Sequence, residues 1–440
     1  MLSPARKTCY RVLLDIELRN RFSDEALNSK EMERLDVRDR HLTTEIVYGT
    51  LRWQAFLDHI LQAAGFRTWQ DVESGAKVLL RMSLYQMWHT ERVPHHAIVN
   101  DAVELAKRTL GRGIEGYING VLRTLVRTRP WKVPEFALSV PEWVRVSLPQ
   151  WLWQRWITRY GQDRTTEYAL SLNEPPQAAI RVTLPRWAAE PLPFEVFPSD
   201  IVPDAYGQGK SARVPKGAGL RKHDASAFRY QDEASQLIAH LLGSKAKGRK
   251  IWDACAAPGG KTEILSKLCG DKGFVVASDL SEERVLRIKE VLRFSGARKP
   301  AVLAADARST APFSISFDAV LADVPCSGLG TLRRNPEIKW RIQPDKLAAL
   351  QRTQREILDG VSQSVQPGGW LVYSTCSTEP EENEEVIQSF LDSHPDFRLK
   401  RPASPPGIER WTGPDLLVRT FPSARHWDGF FAGILVRRAS

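Results

Sequence analysis

From Lys250 onward the chain alternates short apolar runs with longer amphipathic stretches. Lys250–Ala254, Phe274–Ser278, Ala301–Ala304, Phe317–Ala322 and Trp370–Tyr373 have strand length, and Gly429 to Val436 adds a late strand. Glu263–Cys269, Glu282–Phe294 and Lys346–Val365 separate them with helical spacing. Such alternation predicts an α/β domain, a parallel sheet with helices on both faces, over residues 241–440. Residues 1–130 carry a different period. Cys9, Val12, Leu13 and Ile16 recur at helical spacing, as do Val99, Ala102, Val103, Ala106 and Leu110 with Asp101, Glu104, Lys107 and Arg108 opposite. Val47 to Leu61, Val78 to Trp88 and Tyr117 to Val126 give further helices, so the front is an all-helical module.

Pro130, Pro134, Pro141 and Pro149 punctuate the boundary after it. Residues 150–240 then mix helix (Trp151 to Tyr160, Tyr230 to Leu242) with a short strand at Ala179–Thr183, which predicts a small α+β linking domain. Within it, 201–224 scatters Gly207, Gly209, Gly217 and Gly219 among basic residues and reads as a loop.

Composition narrows the class. The chain has 440 residues, 42% hydrophobic and 26% charged, as expected of a folded multidomain protein. A net charge of +10 favours a polyanionic partner. The five cysteines are odd in number and widely spaced, and no pair has zinc-site or thioredoxin-type spacing. Free thiols in a reducing, cytoplasmic setting are the simplest account. The first residues lack the apolar core of a signal peptide, and no run reaches the length of a membrane span.

The chemistry gathers at predicted strand ends, where open α/β sheets bind ligands. Asp253 to Thr262 reads Asp-Ala-Cys-Ala-Ala-Pro-Gly-Gly-Lys-Thr, a tight turn opening a helix with free N–H groups. A phosphate loop would need glycine at Cys255, and no third glycine continues a dinucleotide motif, so a single nucleoside suits the loop better. Asp279 closes the next strand and suits ribose hydroxyls, although helix capping is the competing role. Asp306 follows the third run and would face an adenine edge, or serve only as a loop carboxylate. Asp323 and Cys326 share the end of the fourth run, and Cys376 follows the fifth. A lone cysteine is more often a small buried hydrophobe. Here Ser327 and Ser377 follow the two thiols in loops, which favours exposure and reactivity. Cys9 and Cys269 fall in helical patterns and read as packing residues. Gly330 to Trp340, with Arg333, Arg334, Lys339 and Trp340, reads as a basic loop for phosphate contacts and stacking.

Four stretches together resemble the RsmB (Sun/Fmu) family of RNA cytosine-5 methyltransferases: the glycine loop, Asp-Val-Pro-Cys-Ser-Gly-Leu-Gly, Arg-Arg-Asn-Pro-Glu-Ile-Lys-Trp, and Tyr-Ser-Thr-Cys-Ser with Glu382-Asn383-Glu384. Gly429-Phe430-Phe431 matches as well. At the front, Asp39-Arg40, Val47 to Arg52, Tyr85-Gln86, Val93-Pro94 and Asn119 to Arg123 resemble the NusB-like RNA-binding domain that RsmB carries. The resemblance implies a Rossmann-like class I methyltransferase domain that uses S-adenosyl-L-methionine and acts on small-subunit (16S) rRNA as a monomer. It places Cys255, Ala256, Ala257, Pro258, Gly259, Gly260, Lys261, Asp279, Asp306 and Asp323 on cofactor-binding positions. Cys376 falls on the nucleophile, Cys326 on the cysteine that helps release product, and Asp323 would hold the base. The 201–224 insertion and Glu233 depart from the pattern without touching the chemistry. Another RNA such as tRNA, a non-catalytic assembly factor, and a redox enzyme using Cys326 and Cys376 are the competing readings.

Overall fold

Apolar stripes of the front module become the helices Pro4–Arg19, Val37–Arg52, Gln54–Ala64, Ser74–His89, His95–Thr109 and Ile114–Thr128. The computed structural model describes every residue except 1, 66, 91–92, 134–135, 137–138, 183–196, 200, 203–210, 215–227, 294–298, 310–312, 422–426 and 440. Ser3 and Asp36 cap two of these helices, accepting from the backbone N–H of Arg6 and Asp39. Cys9, Ile16, Val99, Ala102 and Ala106 are buried in one core, so the predicted stripes face inward. The helix expected over Val47 to Leu61 is two helices. Trp53 leaves helical geometry at φ −99° and packs edge-on against Trp88, ring centroids 4.9 Å apart.

The chain forms two compact units, Met1–Pro175 with Leu332–Arg341, and Pro176–Thr331 with Ile342–Ser440. The first unit therefore includes helices Gln150–Tyr160 and Gln162–Ser171, where Trp156 is fully buried and packs on Tyr168. It also includes most of the segment expected to contact phosphate, and that expectation does not hold for Lys339. Lys339 is 1% exposed. Its Nζ donates to the carbonyls of Arg52 and Ser147 at 2.7 Å each, and to Asn173 Oδ1 at 3.4 Å. Trp340 Nε1 donates to the Leu51 carbonyl, and Glu337 accepts from the Ser23 N–H. The reason lies in the backbone. A helix ending at Arg52 leaves carbonyls without intrahelical partners, and an ammonium with three donors meets them.

The second unit holds two sheets. Strands β1 (Ala178–Val182), β2 (Phe197–Pro198), β3 (Ser211–Val214) and β4 (Phe228–Tyr230) form an antiparallel sheet in the order β2-β3-β1-β4. Ser211–Val214 is thus a strand inside the expected 201–224 loop; residues 203–210 and 215–224 lie outside the described residues. Tyr230 belongs to β4, and the helix expected from it runs Glu233–His240.

The larger sheet contains β5 (Lys250–Asp253), β6 (Phe274–Asp279), β7 (Ala301–Ala304), β8 (Phe317–Asp323), β9 (Val365–Thr375), β10 (Phe397–Lys400), β11 (Val418–Thr420) and β12 (Phe430–Arg437). Its order is β10-β12-β9-β8-β5-β6-β7, with β11 beside β12. Strands β5 to β9 pair in parallel, and β12 closes antiparallel against β9. Side chains alternate between two cores: Ile251, Leu321, Val372 and Ile434 in one, Trp252, Val320, Leu371 and Leu435 in the other. Cys269 is buried in the first, as its helical pattern implied. Among the described residues no helix is long and apolar enough to cross a membrane.

Replacing Lys339 by Ala leaves two buried carbonyls without their donor. We expect the full chain to lose about 2–4 kcal/mol in urea unfolding, the cost of unsatisfied buried polar groups. A loss under about 0.5 kcal/mol would mean water takes the place of the ammonium.

Candidate active site

Strand order reverses at β5, which has β6 on one side and β8 on the other. The crevice at such a switch point lies beyond the carboxyl ends of the strands. The glycine loop leaves β5 there and enters helix Gly260–Cys269. Gly259 holds φ +107°, and a Cβ on it would lie 3.3 Å from Ile288. A side chain would therefore be strained twice, by conformation and by contact.

A cavity of about 160 Å³ follows this loop, lined by Cys255 to Pro258, Gly260, Lys261, Asp253 and Asp323, with Tyr230 and Gln231 from the small sheet's side. Asp279, at the end of β6, accepts from the N–H of Ala257 and Leu280 and pairs with Arg284. It fixes the loop's shape. Asp306 lies elsewhere: it pairs with Arg308 at 2.7 Å and lines a separate surface concavity with Ser309, Glu356 and Asp359. The structure thus brings together the glycine loop, Asp279 and Asp323, while the Asp306 carboxylate is taken up by Arg308.

Lys261 projects from the helix start onto Asp323 at 2.6 Å, and Ser374 Oγ donates to the other oxygen of Asp323 at 2.6 Å. Burial opposes the charge on Lys261, but Asp323 outweighs it and holds the ammonium above its ordinary range, with Cys376 adding to the effect. The Lys261 ammonium also sits 5.3 Å above the Phe430 ring.

The two thiols meet. Cys326 Sγ and Cys376 Sγ are 3.1 Å apart, and both are free. The Cys376 N–H donates to Cys326 Sγ at 3.3 Å. Contact with Cys376, and then burial, push the Cys326 thiol well above its usual range. Ser327 and Ser377 do not confer exposure, as the sequence suggested. They are 4% and 2% exposed, and both hydroxyls donate to the buried carboxylate of Glu382. The cysteines themselves remain partly accessible.

Several contributors had weak sequence signals. Asp253, at the head of the glycine loop, accepts from Thr262 Oγ1 at 2.6 Å through one oxygen, while its other oxygen is buried with no hydrogen bond among the described residues. Arg181, in β1, donates to Glu263 at 2.8 Å, to the Gly260 carbonyl and to Gln231, bracing the glycine loop from 79 residues away. Asp253 could have been found as the last residue of its strand. Nothing near Arg181 in the sequence announces its partners.

The fold and this loop set define an S-adenosylmethionine-dependent methyltransferase of the Rossmann-like kind. The residues present fit that cofactor. The cavity has a close-approach backbone, the Asp323 carboxylate at the neighbouring strand end, and an oxygen of Asp253 that is buried without a hydrogen bond among the described residues and able to face a cationic group. Family comparison agrees. Residues 239–436 match the 16S rRNA methyltransferase RsmB/F family, and residues 3–127 match the NusB family. The chain is 35% identical over 411 residues to the probable ribosomal RNA small subunit methyltransferase B of Bacillus subtilis, covering 89% of each. It is 32% identical to ribosomal RNA small subunit methyltransferase B of Pseudomonas putida, covering 94% of this chain and 95% of that one. The crystal structure of PH0851 matches with a TM-score of 0.79 at 26% identity over 99% of both chains. NSun6 from Pyrococcus horikoshii with SFG shares the fold, with a TM-score of 0.56 at 20% identity over 66% of this chain and 99% of that one. The chain belongs to the ribosomal RNA small subunit methyltransferase B (RsmB) family.

Burial lifts the Asp253 carboxyl from an ordinary 3.8 to about 7. Between those values the folded cofactor-free chain binds more protons than the unfolded chain. The stability from this group is therefore full below pH 3.8 and is lost as pH rises through about 7. Asp253→Asn removes that titration, so its melting temperature should fall less steeply than wild type across this window. Parallel melting curves for the two proteins would show that Asp253 titrates normally.

Proposed function

We propose that the protein methylates C5 of a cytosine in small-subunit (16S) rRNA through a transient bond between Cys376 and C6. The observation that carries this reading is the 3.1 Å contact of Cys326 and Cys376 at the ends of neighbouring strands, beside the Lys261–Asp323 pair. Cytosine C5 is a poor nucleophile, and adding sulfur at C6 turns one hard step into two easier ones. The Cys376 sulfur joins C6 while its proton passes, by way of Asp323, to N3. C5 is then enamine-like. S-adenosylmethionine, when bound, supplies an electrophilic methyl group. After C5 has taken the methyl, its proton leaves to water. The C5–H electron pair becomes the C5=C6 double bond. The Cys376–C6 bond breaks toward sulfur, which takes the Cys326 thiol proton. N3 returns its proton, by way of Asp323, to the Cys326 sulfur, and the C5 proton is the one lost per turnover.

In this reading Lys261 pairs with Asp323 at 2.6 Å and holds that carboxylate in place for the base. The raised affinity of Cys326 for its proton suits a group that must arrive at the release step as a thiol. The target base must be unpaired or flipped out, at a cost of a few kcal/mol that phosphate contacts offset. Asp306, with its cofactor role, would have to part from Arg308 to reach an adenine. Residues 1–130 serve as the RNA-binding module, 150–240 as the link and 241–440 as the methyltransferase.

Cys376→Ala should abolish methyl transfer to below about a hundredth of wild type while leaving S-adenosylmethionine affinity nearly intact. Cys326→Ala should leave a slow-migrating protein–RNA band on denaturing gels. Bisulfite mapping of 16S rRNA and tRNA from cells with and without the gene identifies the substrate, and a site lost from tRNA alone would redirect the reading.

Lys107 and Arg108 close the helix His95–Thr109, Arg108 exposed and paired within its own helix to Glu104. Charge reversal of both should weaken rRNA binding and lower its salt slope, with cofactor affinity unchanged. An unaltered salt slope would remove this helix end from the RNA surface.

A further inference from the structure

We infer that Glu382 is a positioning residue for this reaction, a buried carboxylate that fastens the Cys326 loop to the Cys376 loop and so fixes the approach of the two sulfurs. The inference rests on the two-thiol reading above and goes beyond it in naming what holds the thiols in register.

Glu382 closes the short turn Pro380–Glu382 and is fully buried. One oxygen accepts from the Ser327 N–H at 2.7 Å and from Gln354 Nε2 at 3.0 Å. The other accepts from the Ser327 and Ser377 hydroxyls, each at 2.5 Å. Ser327 directly follows Cys326, and Ser377 directly follows Cys376. Gln354 extends the clamp by donating also to the Pro325 carbonyl at 2.9 Å. Four donors thus converge on one carboxylate, and they come from both thiol loops and from helix Pro344–Ser362. The turn itself is anchored by Tyr373, whose hydroxyl donates to the Glu382 carbonyl at 2.6 Å.

Burying a carboxylate is costly unless each oxygen is satisfied. An apolar residue would fill the space, but it would release two hydroxyls and a backbone N–H beside the thiols. The charge has a second consequence. A carboxylate behind Cys326 adds to the groups that keep that thiol protonated, whereas the Lys261 ammonium acts on Cys376. Two chemically identical thiols are thereby made unequal, with the anion behind the one that must give a proton at release.

The test uses the full chain, S-adenosylmethionine and transcribed 16S rRNA. Glu382→Gln keeps the shape but presents a donor where an acceptor stood. We expect turnover to fall by about tenfold or more, the scale of a displaced acid–base group. Cofactor affinity should stay near wild type, the melting temperature should fall as buried donors lose an acceptor, and the covalent protein–RNA band should rise toward that of C326A. In the C326A background, E382Q should change the band less than about twofold, because groups acting through one another are not additive. Wild-type turnover, or a fall in turnover with no rise in the band, would overturn the inference. So would an undiminished E382Q effect in the C326A background. If E382Q does not fold, Ser377→Ala removes a single donor, and the same band should rise to a smaller degree; no rise overturns the inference equally. A C326A protein that forms no band would bring down the two-thiol reading itself, whereas a band with C326A and none with E382Q brings down only the clamp.

Discussion

The parallel pairing of β8 with β9 sets where everything else in the site can stand. Asp323 lies opposite Ser374 in that register, and the Val324 N–H donates to the Ser374 carbonyl at 3.0 Å just past the end of β8. Two parallel strands that end at the same height send their loops out side by side. Cys326 comes three residues after Asp323 and Cys376 two after Ser374, so the thiols meet without a long reach from either chain. A slip of one residue would exchange the faces of β9, turning Val372 from one core to the other and parting the sulfurs. Gly330 then closes the arrangement. Its N–H donates to the Cys376 carbonyl, and a Cβ on it would sit 2.1 Å from the Gly429 carbonyl oxygen. No side chain fits there without separating the loops.

Charge then differentiates what geometry has paired. Lys261, Asp253 and Asp323 cluster on the β5 side, where Asp323 spends one oxygen on the ammonium and the other on Ser374 Oγ. Glu382 holds the residues that follow the two thiols and is satisfied by hydroxyls, an amide and a backbone N–H. Arg181 and Glu263, both buried, brace the helix that carries Lys261. The supports are longer in sequence range than the groups they support, because a side chain that touches substrate sits at a strand end while its brace can come from any element packed behind.

That difference in range explains how much could be read in advance. Strand-helix alternation after Lys250 was legible, because buried parallel strands are almost continuously apolar. The glycine loop, Asp323 and both thiols were legible as strand-end residues. Element edges were less so. Tyr230 looked helical until β4 claimed it, and β9 begins at Val365, inside the stretch that helical spacing assigned to the preceding helix. At Ser327 and Ser377 the sequence misleads, because a hydroxyl in a loop suggests water. Only the fold shows that Glu382, from a turn beyond, takes both hydroxyls out of solvent.

Leu332–Arg341 carries the broader lesson about charge. A basic segment directly after a reactive thiol invites an RNA contact, yet its Lys339, Trp340 and Arg341 donate to backbone carbonyls at Arg52, Ser147, Leu51, Ile16 and Arg21. What selects a cation there is its number of N–H donors, since helix ends and turns present carbonyls that no neighbouring amide can reach. Net charge counts such residues equally with solvent-facing ones. The +10 of the chain therefore overstates the charge free to meet phosphate by whatever is committed to the interior, as Lys339 and Arg333 are. Attraction to a polyanion falls to cations whose head groups reach water, and position relative to the thiols says little about which those are.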